Sequence, residues 1–153
     1  MKLTDILEKG FIIPSLKAES KKNALEELVS VFATRYPEID KDEFLRVLLE
    51  REKLGSTGIG EGVAIPHGKV KNFDKLIISF GRSQQGIDFD SNDSQKVHLL
   101  FLLMAPESST GHHLKALAKI SRLLKDSETR KRLINAEDRG EIYQIIAESD
   151  RDY

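Results

Sequence analysis

The residues able to do chemistry in this sequence are four histidines, one arginine and a run of glycines. His67 stands in Pro66-His67-Gly68, directly after the apolar Val63-Ala64-Ile65. A rigid residue before it and a permissive one after it would hold its ring in a fixed direction at the end of a strand. Ligands of open α/β sheets bind at strand ends. The imidazole titrates near neutral pH and can serve as nucleophile or proton carrier. The other reading is a surface-loop histidine without chemistry, and a lone histidine does not decide between the two. Arg51, in Leu49-Glu50-Arg51-Glu52-Lys53, also has two readings. It is a cation favoured at a helix C-terminus, or a guanidinium that reaches over the following loop to grip phosphate oxygens in pairs. His112 and His113 are adjacent at the start of an expected helix, where successive positions point about 100° apart, so at most one faces a given pocket. His98 lies in the most apolar segment and reads as a hydrogen-bonded core histidine.

Gly55-Ser56-Thr57-Gly58-Ile59-Gly60-Glu61-Gly62 suggests phosphate binding, because glycine-rich loops present N–H groups to anions. It fails the specific tests. Gly55 and Gly60 have Walker spacing, but Glu61-Gly62 stands where Lys and Ser/Thr are required, and no G-x-G-x-x-G is present. The run reads as a turn region without regular structure that permits close approach. A zinc site from His67, His98 and one of the adjacent pair has no local ligand spacing behind it, and no metal is expected. A hydrolase triad lacks its G-x-S-x-G elbow.

These groups need elements to position them. Ser20 caps a helix to about residue 36, with Ala24, Leu25, Leu28, Val31 and Phe32 on one face, and Pro37 stops it. Asp40 with Glu43 three residues on opens a second helix, to about residue 53. Residues 63–65 and 76–80 read as strands and 86–89 as a short extended piece. The nearly all-apolar residues 97–104 read as a central strand covered on both faces. A long loop at 105–111 leads to a helix at 112–124, with Leu114, Leu117, Ile120, Ser121 and Leu124 in period. Helices at 128–134 and 139–147 follow, and residues 148–153 read as a frayed tail. The outcome is one α/β domain over residues 1–153.

Composition narrows the function. A chain of 153 residues is long enough to bury a core without a disulfide or metal. With no Cys, it has no disulfide scaffold, thiolate metal site or thiol catalysis. A net charge of -1 gives no general pull toward nucleic acid or acidic membranes. Neither a signal peptide nor a spanning segment is read, so membrane insertion is not expected and the cytoplasm is the expected compartment.

Taken together, Leu49-Glu50-Arg51-Glu52, Gly62-Val63-Ala64-Ile65-Pro66-His67-Gly68 and His113-Leu114-x-x-Leu117 resemble the fructose/mannitol-type enzyme IIA domains of the bacterial phosphoenolpyruvate-dependent phosphotransferase system. The likeness covers about residues 3–147, and the free-standing length and Leu3-Thr4-Asp5-Ile6-Leu7 opening look most like the nitrogen-regulatory branch. The resemblance implies a mixed β-sheet with helices on both faces. It implies that His67 is phosphorylated, that Arg51 and His113 flank it, and that Glu61 lies close by. His113 takes the family position because Leu114, Leu117, Ile120 and Leu124 then fall on its apolar sites. It implies an HPr-type phosphocarrier as donor, with no nucleotide or other cofactor. The output is then either phosphorylation-dependent binding of regulatory targets or transfer to a IIB domain during sugar uptake. A third possibility is an interaction module without phosphotransfer. A rim of Ile59, Val63 and Ile65 would surround the phosphorylated residue.

Overall fold

A computed structural model describes residues 1–150. Its first helix, α1 (Lys21–Ser30), starts where the Ser20 hydroxyl accepts from Asn23 N at 3.2 Å. It tightens into a 3-10 turn at Val31–Thr34 just before Pro37. The second helix, α2 (Lys41–Lys53), starts where the Asp40 carboxylate accepts from Glu43 N at 3.1 Å. Phe11, Phe32, Phe44 and Phe73 pack edge-on around these two helices, an arrangement aromatic quadrupoles favour.

Six strands form one mixed sheet: β1 (Ile12–Ile13), β2 (Gly58–Gly60), β3 (Val63–Ala64), β4 (His67–Val70), β5 (Ile77–Ile87) and β6 (Val97–Pro106). The order is β1-β5-β6-β3-β2, and β4 also pairs with β6. β5 and β6 run antiparallel, β1 runs parallel to β5, and β3 and β4 both run parallel to β6. β6 is the expected central strand, with residues from Leu99 to Ala105 at most 1% exposed.

Three helices follow: α3 (Thr110–Lys125), α4 (Ser127–Asn135) and α5 (Arg139–Ser149). Strand alternation shows which face each group covers. The Ser79 hydroxyl of β5 donates to Leu28 O of α1 at 2.9 Å. Arg82, three residues on and so on the opposite face, donates to Leu133 O and Ala136 O at the end of α4, at 2.9 and 2.6 Å. Helices therefore cover both faces of the sheet, as expected.

The structure corrects several sequence expectations. The glycine run holds a strand, β2, because antiparallel pairing with β3 overrides the low intrinsic propensity of glycine. His67 does not simply follow a strand: it opens β4, whose His67-Gly68-Lys69-Val70 composition carries little strand signal. The strand expected at 76–80 runs on to residue 87 and absorbs the first half of the 86–89 piece. The loop expected at 105–111 shrinks to three residues, because β6 reaches Pro106 and α3 begins at Thr110. The tail is not frayed as far as Asp150. The Lys119 ammonium, buried on α3, donates to Asp150 Oδ1 at 3.0 Å and to Met1 O, and Leu3 N donates to Asp150 Oδ2 at 2.6 Å. The remaining residues of the expected tail, 151–153, lie outside the described residues.

Candidate functional site

Val63–Ala64 and His67–Val70 behave as one strand interrupted at Pro66. Ala64 pairs with Leu100 and His67 with Leu103, three residues on in each strand. The Ile65 carbonyl drops out of the ladder at the break. It accepts instead from Nδ1 of His67 at 2.7 Å. A carbonyl only accepts, so Nδ1 carries the proton and Nε2 holds the free lone pair. Burial lowers the His67 pKa, and the Arg51 charge lowers it too, while the Ile65 hydrogen bond and the Glu52 charge oppose them. The half-buried ring is thus held neutral in a single tautomer.

α2 lies directly on β4. A Cβ at Gly68 would stand 2.5 Å from Val47 Cγ1, closer than packing allows, so only glycine lets the helix come this near. One turn beyond Val47, this contact delivers Arg51 beside His67. The Arg51 guanidinium donates through Nη1 to Gly55 O at 2.9 Å. That is one of its five N–H donors, and the bond goes to a carbonyl four residues on, just past the helix end.

His113 comes from the first turns of α3. Its ring meets that of His67 edge-on, with centroids 5.6 Å apart. It is 5% exposed, and Nδ1 has no hydrogen-bond partner among the described residues. Burial, followed by His67 and the Lys69 ammonium, pushes its pKa down to about 4. His112 is exposed, as expected for the member of the pair turned away. Leu114 does not occupy a buried apolar site as expected, because it is 60% exposed. The buried stripe of α3 is His113, Ala116, Lys119, Ile120, Leu123 and Leu124.

The structure thus brings His67, Arg51 and His113 together. Glu61 sits on the β2–β3 turn with φ of 57°, between Gly60 and Gly62, which also have positive φ. Its N–H donates to Asp93 Oδ2 at 3.0 Å, and its exposed carboxylate faces Arg130 Nη2 at 3.7 Å. The carboxylate whose charge acts on His67 is Glu52 instead. His98 is half-buried and holds Ser83 O through Nδ1 at 2.8 Å, a structural bond as expected. Lys69 was not foreseen. It shares the outward face of β4 with His67, and Nζ donates to Thr110 Oγ1 at 3.1 Å. Period-two alternation would have found it once β4 was recognised as a strand.

The rim also differs from expectation. Val63 and Ile65 are buried, and the large exposed apolar side chains of the described residues are Leu54, Ile59, Leu114 and, on α4, Ile134. Leu54 and Leu114 stand within three residues of Arg51 and His113. Among the described residues no group of three or more His, Asp or Glu is placed to hold a metal ion. No helix of the described residues is long and apolar enough to cross a membrane.

The mixed sheet thus carries an oriented histidine with an arginine and a second histidine around it, an arrangement able to hold an anionic group at an imidazole. The chain belongs to the family described as phosphoenolpyruvate-dependent sugar phosphotransferase system, EIIA 2, whose model matches residues 5–149. It is 46% identical over 147 residues to a nitrogen regulatory protein of Bradyrhizobium diazoefficiens, covering 96% of this chain and 95% of that one. It is 40% identical to the fructose-specific EIIABC component of Bacillus subtilis, matching 99% of this chain but 24% of that longer protein. The crystal structure of nitrogen regulatory protein IIA-Ntr from Neisseria meningitidis superposes with a TM-score of 0.88 at 33% identity, covering 94% of this chain and 98% of that one.

Proposed function

We propose that this protein is a cytoplasmic phosphocarrier that accepts a phosphoryl group on Nε2 of His67 from a phosphohistidine of an HPr-type carrier. The observation that carries this reading is the 2.7 Å bond from Nδ1 to Ile65 O, which leaves a neutral Nε2 lone pair beside Arg51 and His113. The lone pair attacks phosphorus in line with the donor ring. As the new N–P bond forms, the old one breaks, and its electron pair returns to the donor nitrogen. No net proton transfer is needed, because each ring keeps the N–H on its other nitrogen. The phosphorylated ring then carries positive charge, which the Ile65 carbonyl stabilises from the Nδ1 side. In the transition state, charge spreads over three equatorial oxygens, so positioning and electrostatic stabilisation dominate. Arg51 supplies fixed donors there, and His113 supplies one more.

The output of the phosphorylated protein is proposed to be regulatory. Support comes from the nitrogen regulatory protein that matches this chain over nearly the full length of both. The second reading is a sugar-specific role with transfer to a IIB domain. It is favoured by the fructose-specific relative and by the same fold in a mannitol IIA bound to its phosphorylated IIB partner, where TM-score is 0.75. Leu54, Ile59 and Leu114 suit protein docking in either case.

Incubation with phosphoenolpyruvate, the first enzyme of the system and an HPr-type carrier should label His67. The label should survive alkali and be lost in acid, as a phosphoramidate is. Full labelling of His67→Ala would overturn the assignment. Pull-downs with and without phosphorylation then separate regulatory targets from a IIB domain.

A further inference from the structure

Glu52 lies next to Arg51 and has no part in the transfer step. Its side chain is 5% exposed. It also sits at the C-terminal end of α2, where the helix dipole disfavours a carboxylate. A buried anion there needs partners, and these lead directly to the nucleophile. Oε1 accepts from Lys21 Nζ at 2.9 Å and from Thr57 N at 3.1 Å, and Oε2 accepts from the Thr57 hydroxyl. Thr57 O accepts from Ile65 N at 3.0 Å. Ile65 O accepts from Nδ1 of His67 at 2.7 Å. Lys21 is itself placed from α1, with its ammonium 4.7 Å from the centre of the Phe89 ring and 3.7 Å from Asp90.

We propose that Glu52 is a positioning residue for His67, acting through Thr57 and Ile65 to set the direction of the ring and the nitrogen that attacks. The proposal rests on the reading of His67 as the phosphoryl acceptor. The mechanical part is direct. Both bonds from Thr57 to Glu52 pin the residue whose carbonyl holds Ile65, so releasing them frees the carbonyl that fixes the His67 tautomer. Outer partners that orient a reactive histidine act in this way elsewhere. The electrostatic part has the same origin. The charges bearing on His67 are Arg51 and Glu52, both from α2; the His113 ring of α3 packs against it, and Lys69 further along β4 acts on His113. Glu52 is the one anion in that set, and Lys21 tempers its charge.

The test is nuclear magnetic resonance of ¹⁵N-histidine-labelled protein, with folding checked by the amide spectrum and His98 as an internal reference. Glu52→Gln should lower the titration midpoint of His67, mix its tautomers and slow transfer from the phosphorylated carrier by about tenfold or more. Lys21→Met, which leaves the carboxylate untempered, should raise the midpoint. A folded Glu52→Gln protein with wild-type tautomer and midpoint would overturn the proposal. So would both variants shifting His67 in the same direction, which is what general loosening predicts. If Glu52→Gln does not fold, Thr57→Val removes only the hydroxyl link. It should still mix the tautomers, and an unchanged His67 ring would count against Glu52. Failure of the carrier to phosphorylate wild-type His67 would sink the phosphocarrier reading and the slowed transfer with it, while the tautomer and midpoint, measured on unphosphorylated protein, still test whether Glu52 orients the ring.

Discussion

The rings of His67 and His113 stand edge to face, 5.6 Å between centroids and 64° between planes. Burial first, and then the neighbouring His67, hold the His113 pKa down to about 4. Two neutral imidazoles side by side leave room for one incoming negative charge. A phosphoryl group on His67, with the Nδ1 proton kept, adds about one net negative charge, carried on the phosphate oxygens. A neighbouring opposite charge raises a histidine pKa by about 1–3 units. His113 should therefore titrate well above its resting value in the phosphorylated protein, which its ring resonances followed against pH would show.

The same depressed pKa makes stability depend on acid. The unfolded value is about 6.5, so below it the unfolded chain binds the His113 proton more readily than the native state does. The contribution is complete above about pH 6.5 and is lost as pH falls toward about 4. In urea unfolding, His113→Gln should flatten that acid limb. An equally steep limb would assign the loss to other groups.

Arg51→Ala and His113→Ala should each slow phosphoryl transfer by about 10²–10³-fold, the cost of one preorganised transition-state donor. Arg51→Lys should recover little, because an ammonium cannot offer paired planar donors. His112→Ala should transfer at nearly the wild-type rate. Rapid-quench measurement from a labelled carrier compares all four.

Gly68→Ala should destabilise the protein by about 1–3 kcal/mol, as overpacking does. The added methyl meets Val47 Cγ1 at 2.5 Å, and relieving it means moving α2, which also carries Arg51 and Glu52. Val47→Ala in the same chain should return part of the stability and part of the transfer rate. Lack of any recovery in the double variant would place the strain elsewhere.

Leu54→Asp and Leu114→Asp should weaken docking of the carrier by about 1 kcal/mol or more each, as loss of buried interface anchors does. Ile134, exposed at 50% on α4, serves as the control, and Ile134→Asp should bind normally. Calorimetry with the unphosphorylated carrier gives these affinities without turnover.

Legibility from the sequence followed the source of each element's stability. α2 and β6 were readable because a cap at Asp40 and an unbroken apolar run are local signals. β2 and β4 were not, because glycine, histidine and lysine form strands there only through pairing with β3 and β6. Leu114 was misplaced because helical spacing gives a period but does not fix where the buried stripe begins. The motif singles out His67, Arg51 and His113 as candidates, and the fold brings the three together. Glu52 sat in the same motif, yet its importance depends on Lys21, which is distant in sequence, and on a loop conformation that spacing does not reveal.

The Lys119 ammonium gathers Met1 O and Asp150 onto one point of α3. That point comes six positions after His113 on the same helix, a rise of about 9 Å. Any domain joined at either end would hang from nearly the same post, on the helix that also carries His113. A short flexible tether from such a post holds its cargo at an effective concentration of about millimolar. Fusion at either terminus would then turn encounter with His67 into an intramolecular event, with the core left undisturbed.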